Sequence, residues 1–241
     1  MANPPGPPRR QVASEIGGDE LPPTGAIPGL LAKQKLFWLP FVLAVPLAVL
    51  RVFAQMAWMP AMLVREHGLS ASMAGLLVGP SILVLGVIGS LASGAMVTHH
   101  GGAKAAVYSI TTTAHVTVIA APLSLLYLLP ASLPIATIAY ASQVLLMAIV
   151  TATWPPTAQL LVSNRIRART IAMVNIAGAL IGQGLGPFFV GLINDQLFSG
   201  ERLQLAIGCT VSLSLAAAAV AMTFSARSIA RYVAAPDAVG V

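Results

Sequence analysis

Six stretches of this chain run for more than twenty residues each: roughly 36–63, 74–98, 105–129, 134–162, 170–194 and 203–224. Arg51 is the single Lys, Arg, Asp or Glu inside any of them. About 20 apolar residues at 1.5 Å rise cross a hydrocarbon core of about 30 Å, so each stretch reads as a spanning helix. Helices suit that solvent because every backbone group finds its partner within the segment. Composition agrees, with 57% hydrophobic and 8% charged residues and a mean hydropathy of +0.85. A soluble domain carries roughly 25% charged residues, and this chain would have almost nothing with which to wet its surface. The expected fold class is an all-α integral membrane protein with six transmembrane helices.

Residues 1–35 are rich in Pro and Gly and hold no long apolar run, so they read as a flexible cytoplasmic segment. They lack the 7–15-residue apolar core of a secretory signal. Residues 36–225 form the expected transmembrane domain, followed by a cytoplasmic tail over 226–241. The joints "REHGLSAS", "HHGGAK", "LPASLP", "SNRIRAR" and "QLFSGER" are short and turn-like. Pro46, Pro60, Pro155 and Pro156 are the expected places for kinks. One side of the membrane collects Arg9, Arg10, Lys33, Lys35, Lys104, Arg165, Arg167, Arg169, Arg227 and Arg231; the other has only Arg65 and Arg202. Basic residues accumulate in cytoplasmic loops, so both termini are expected in the cytoplasm. The same rule accounts for the net charge of +6. No basic stripe interleaved with aromatics is present, and nucleic acid is not an expected partner. Cys209, the single cysteine, reads as an apolar filler inside a span.

"GALIGQGLGPFFVGLIND", residues 178–195, concentrates glycines in an apolar run. In water each interior Gly would cost about 1 kcal/mol and the Pro about 3. Between membrane helices small residues instead permit close backbone approach. Gly178, Gly182 and Gly186 recur every four residues along one stripe, with Pro187 and Gly191 following. Gly75, Gly79, Gly86, Gly89, Ser90, Ser93 and Gly94 give the second stretch a similar narrow flank. Static packing and faces that rock during a transport cycle both require such residues.

Arg51 lies deep in the first stretch, where a charge costs several kcal/mol without a wet cavity or a partner. Gln55 and Trp58 follow at i+4 and i+7 and share its helix face. That face is expected to line a central cavity, with Arg51 meeting an anionic substrate group or an acid in another helix. A tilted helix with Arg51 reaching the interface is the alternative. Asn175 and Gln183 are further candidates for the cavity, while Gln143 and Gln159 read equally as cross-links between helices. Thr111, Thr112, Thr113 and His115 form a polar cluster in the third stretch, where His115 is expected to make an interhelical hydrogen bond. No acid falls near the middle of any span, so this chain offers no buried carboxylate to carry a coupling proton.

"NRIRARTIAMVNIAGALIGQGLGPFFVGLIND" resembles the end of the tenth and all of the eleventh helix of a major facilitator superfamily transporter, in particular the Spinster-like branch. The match rests on an Arg-rich loop (Arg165, Arg167, Arg169) before a helix carrying Gly182, Gly184, Gly186, Pro187, Gly191 and Asp195. "WMPAMLVREHGLSASMAGLLVGP" is similar to the end of helix seven through the start of helix eight, and "PPGPPRR" to the opening of the family's central loop. The resemblance implies the C-terminal half of a twelve-helix transporter, with six helices arranged as two inverted three-helix repeats. A bacterial inner membrane is the expected location. One departure stands out in "GAMVTHHGGAK". Thr98 and His99 occupy the places of the acid and base that latch the family's cytoplasmic gate, leaving Lys104 as the firm charge. His99 and His100 then read either as a pH-sensitive latch or as wetted loop residues.

The leading function is therefore transport of a small molecule by alternating access, with the substrate left open and Arg51 leaning towards an anionic or zwitterionic cargo. Partners would be the lipid bilayer and a complementary six-helix half or second copy, and neither cofactor nor metal is expected. An intramembrane enzyme is disfavoured: no G-x-S-x-G serine setting and no H-E-x-x-H sequence is present. A non-transporting remnant or accessory subunit that pairs with another half is the alternative.

Overall fold

The computed structural model describes residues 35–97, 102–129, 132–161 and 164–234. These residues form α1 (Lys35–His67), α2 (Ala71–Val97), α3 (Gly102–Ser124), α4 (Leu133–Leu161), α5 (Asn164–Ala179), α6 (Gly186–Leu197) and α7 (Leu203–Ala234). A 3-10 turn, Leu125–Leu128, ends α3, and a π-helical segment, Leu180–Leu185, joins α5 to α6 into one span. Among the described residues six spans are long and apolar enough to cross a membrane, and the chain is an integral membrane protein. Each expected stretch coincides with one span. The last helix continues ten residues past the expected limit of 224, to Ala234, into part of the expected tail.

Chain reversals use local chemistry. Gly68, at φ 66°, turns α1 towards α2, and the Ser70 hydroxyl accepts the Met73 N–H at 3.2 Å to cap the new helix. After α6, Gly200 at φ 81° donates its N–H to the Asn194 carbonyl at 2.9 Å, and the same carbonyl accepts the Phe198 N–H at 3.1 Å, which closes the helix C-terminus. The α assignment runs unbroken through Pro46, Pro60, Pro80, Pro122, Pro155 and Pro156. A π-helical departure from α geometry falls at the glycine-rich Leu180–Leu185. A missing N–H frees one carbonyl and leaves the helix continuous, whereas a π segment inserts an extra residue into the ladder.

The packing carries a twofold exchange. α1 lies against α7 and the fifth span, α4 lies against α3 and α2, and α3 lies against α7. Exchanging α1 with α4, α2 with the fifth span and α3 with α7 leaves these pairings unchanged. Because exchanged partners are three places apart in chain order, with two spans between them, the two triplets cross the membrane in opposite senses. This is the expected pair of inverted three-helix repeats. Glu66 of α1, the Tyr127 and Leu129 carbonyls after α3 and Gln204 of α7 meet at one end of the bundle. Ser109 and Ala106 of α3 meet Thr153 and Thr157 of α4 at the other.

Burial is uneven. Only 6% of the most apolar part of α2 and 22% of that of the fifth span are buried, against 56% for α1 and for α7. The two exchange-related helices α2 and α5–α6 thus present the largest uncovered faces. Where the fifth span meets α1, glycine sets the distance. A Cβ at Gly186 would stand 2.6 Å from the Leu50 carbonyl oxygen, and one at Gly182 would stand 2.4 Å from a Val49 methyl. At Gly184 a Cβ would meet open space. Gly186→Ala should therefore lower the melting temperature in detergent, at a cost of about 1–3 kcal/mol for overpacking. Gly184→Ala should leave it unchanged or slightly raised. Equal melting temperatures for the two variants would show that close approach to α1 does not hold this span.

Candidate functional site

Two apolar clusters fill the bundle, one around Met59, Met62, Tyr127 and Ile207, the other around Val45, Ile110, Trp154 and Met222. Arg51 lies between them along α1 and is 1% exposed. Its Nη1 donates to Gln143 Oε1 at 2.9 Å, with a longer 3.5 Å contact to the Gln143 carbonyl. Gln143, fully buried on α4, passes the chain of donors on by giving its Nε2–H to the Ala120 carbonyl of α3 at 2.9 Å. The partner expected for Arg51, a substrate anion or an acid, is here a neutral amide oxygen. No acid lies near the middle of any span, and an amide oriented by its bond to α3 serves as the acceptor at that depth. A hydrogen bond with one charged member contributes roughly 1.5–3 kcal/mol, and stranding a buried charge costs more.

Arg51, Gln55 and Trp58 do not share one environment. Helical spacing puts them within about 60° of each other, which is enough to reach three neighbours. Arg51 points into the bundle towards α4. Trp58 Nε1–H donates to the Pro187 carbonyl of α6 at 2.9 Å, and Gly191 leaves room for the edge of its ring. Gln55 lines a cleft of about 240 Å³ between α1, α2 and α4, together with Val52, Met56, Gly86, Ser90 and Tyr140.

Four polar atoms around this cleft and beneath it are buried without a partner among the described residues: Arg51 Nε, Gln55 Nε2 and the hydroxyls of Tyr127 and Tyr140. Two are nitrogen donors and two are hydroxyls that can donate. Tyr127 lies close enough to Arg51 and to Tyr140 to interact electrostatically with both. A group of donors that lacks acceptors fits the negative end of a ligand. Tyr127 and Tyr140 escape a sequence reading because a tyrosine in an apolar run resembles ordinary core or interface. Tyr127 comes near Arg51, and Tyr140 near Tyr127, only once the helices are packed.

Other candidates fall elsewhere. Asn175 and Gln183 stand on exposed positions of the fifth span. Gly178, Gly182 and Gly186 face α1 at Val49, Leu50 and Ala54. Lys104 is exposed and Arg167 and Arg169 are half-buried. Of Arg165 only the backbone is described, and His99 and His100 lie outside the described residues. His115 is exposed. The interhelical hydrogen bonding expected of His115 is made instead by Thr113, which donates to Thr153 Oγ1 at 2.8 Å, and by Ser109, which donates to the Thr153 carbonyl. The helical period turns His115 about 200° from Thr113.

No sequence-family profile matches the chain, and no characterised protein matches it in sequence. Solved structures do share its fold. A bacterial homologue of the human lysosomal transporter Spinster, inward-facing and unoccupied, aligns with TM-score 0.60 and 19% identity over 95% of this chain and 52% of its own. A bacterial Spinster homologue in the inward-facing, occupied conformation aligns with TM-score 0.53 and 18% identity over 81% of this chain and 47% of its own. The chain spans about half the length of these transporters. Its six helices have the fold of half a major facilitator transporter.

The Arg51–Gln143 bond yields an ordered set of stabilities. Gln143→Leu should cost about 2–3 kcal/mol in detergent unfolding, since it strands a buried guanidinium. Combining it with Arg51→Met should restore much of that loss, because no charge then remains buried. A double variant as unstable as the sum of the two singles would show that the bond does not organise the layer.

Proposed function

We propose that this chain is the C-terminal half of a secondary transporter in a bacterial inner membrane, with both termini cytoplasmic. It works by alternating access against a complementary six-helix half or a second copy of itself. The observation that carries the reading is the half-transporter fold combined with the uncovered faces of α2 and the fifth span. Those faces hold small residues with open space above them, Gly75, Gly79, Gly94 and Gly184, as close helix contact in a membrane requires. The cleft between α1, α2 and α4 receives the cargo. Gln55 and Tyr140 meet its negative end, Arg51 and Tyr127 supply positive field and donors beneath, and an anionic or zwitterionic small molecule is the class that fits.

Cross-linking tests the pairing. In a Cys209→Ala background, Gly79→Cys and Gly184→Cys, each labelled with a thiol-attached photo-crosslinker that needs no thiol on the partner, should form a linked species in membranes of cells that naturally make the chain. Leu213→Cys, on an exposed position of α7, should not. Proteoliposomes holding the cross-linked complex should release a trapped mixture of small anions and zwitterions, read by mass spectrometry, while those holding monomer should retain it. Release by the monomer would overturn the need for a second half. Retention by both would leave a non-transporting accessory subunit as the better reading.

A further inference from the structure

At the end of the bundle where α1 finishes and α7 starts lies a second cavity, of about 590 Å³. Arg65, Glu66, Glu201, Arg202 and Gln204 line it. Gln204 is the built part. It is 1% exposed, its Nε2 donates to the Tyr127 and Leu129 carbonyls at 3.1 and 3.2 Å, and its backbone N–H donates to Glu66 Oε1 at 2.8 Å. Its Oε1 is buried with no partner among the described residues. Two arginines and two glutamates share the wall, yet no ion pair joins them among the described residues. The cavity thus offers donors and acceptors at once, and neither set is neutralised by the other.

A simple anion would satisfy Arg65 and Arg202 but leave Glu201 and Gln204 Oε1 open, and a simple cation would do the reverse. A zwitterion answers both. The level of the cavity narrows the choice, since the span of α1 ends at His67 and that of α7 begins at Leu203, where hydrocarbon gives way to head groups. Leu128 and Leu129 line the same cavity and are 40% and 44% exposed, which offers apolar surface beside the charges. The volume is in the range of small-ligand sites, roughly 300–1,000 Å³.

We propose that this cavity binds the zwitterionic amine–phosphate head group of a phospholipid. The phosphate sits between Arg65 and Arg202, the ammonium meets Glu201 and Gln204 Oε1, and an acyl chain lies on Leu128 and Leu129. The bound lipid ties the ends of α1, α3 and α7 together. The site is separate from the cargo cleft and stands whether or not the chain pairs with a second half.

Native mass spectrometry of the purified full chain, released from micelles holding equal amounts of phosphatidylethanolamine and phosphatidylglycerol, tests it. The unaltered protein should retain phosphatidylethanolamine at least threefold more than phosphatidylglycerol, which has the phosphate but no amine. Arg65→Gln with Arg202→Gln should lower retention of both lipids. Glu201→Gln should abolish the preference while keeping phosphatidylglycerol. Helix content by circular dichroism checks each variant; should any misfold, the lipid preference of the unaltered protein decides alone. Equal retention of the two lipids would overturn the proposal. So would tighter binding of free glycerophosphoethanolamine than of the intact lipid, because the lipid would then not be the occupant.

Discussion

The hydrogen bond from Arg51 to Gln143 is the constraint on which the bundle turns. It joins α1 to α4, the two helices that the internal exchange relates, at a depth where neither partner has water to fall back on. Apolar contacts above and below are non-directional and would tolerate a helix turned about its axis. A guanidinium that needs an acceptor would not, because turning α1 or α4 away strands a charge in hydrocarbon. Gln143 extends the constraint to α3 through the Ala120 carbonyl, so three helices are oriented by one layer.

With that layer in place, the contrast among the helices follows. α1 and α7 are half enclosed, while α2 and the fifth span are largely bare. The bare helices carry glycines of two kinds. Gly89, Gly182 and Gly186 let α4 or α1 come within a distance that any Cβ would forbid, whereas Gly75, Gly79, Gly94 and Gly184 have nothing above them. The first kind accounts for cohesion within the half. The second has no role in this fold taken alone, and a second half laid against it would supply one. The π segment sits where the tight contact with α1 begins, so the fifth span is both closely held and locally irregular there.

Much of this was legible in the sequence because membrane solvent writes its requirements plainly. Six long apolar runs with one charge among them are six helices, since a helix satisfies its backbone within its own segment in lipid. The depth of Arg51 along α1 also followed from one-dimensional spacing. What spacing does not carry is direction across the bundle. Residues 51, 55 and 58 look like one face, and a spread of tens of degrees sends them to three different neighbours. His115 looked like the polar member of its cluster, and the same period turns it outwards while Thr113 turns in.

By itself the sequence determined the solvent, the number of helices, their lengths and the presence of one charge that had to be answered. Those are properties of single segments, governed by hydropathy and by the rise per residue. Tertiary structure alone decided who answers that charge, which tyrosines join it, which glycines are in contact and which are bare. Those are properties of pairs of segments far apart in the chain, and they exist only once the helices have chosen their rotation.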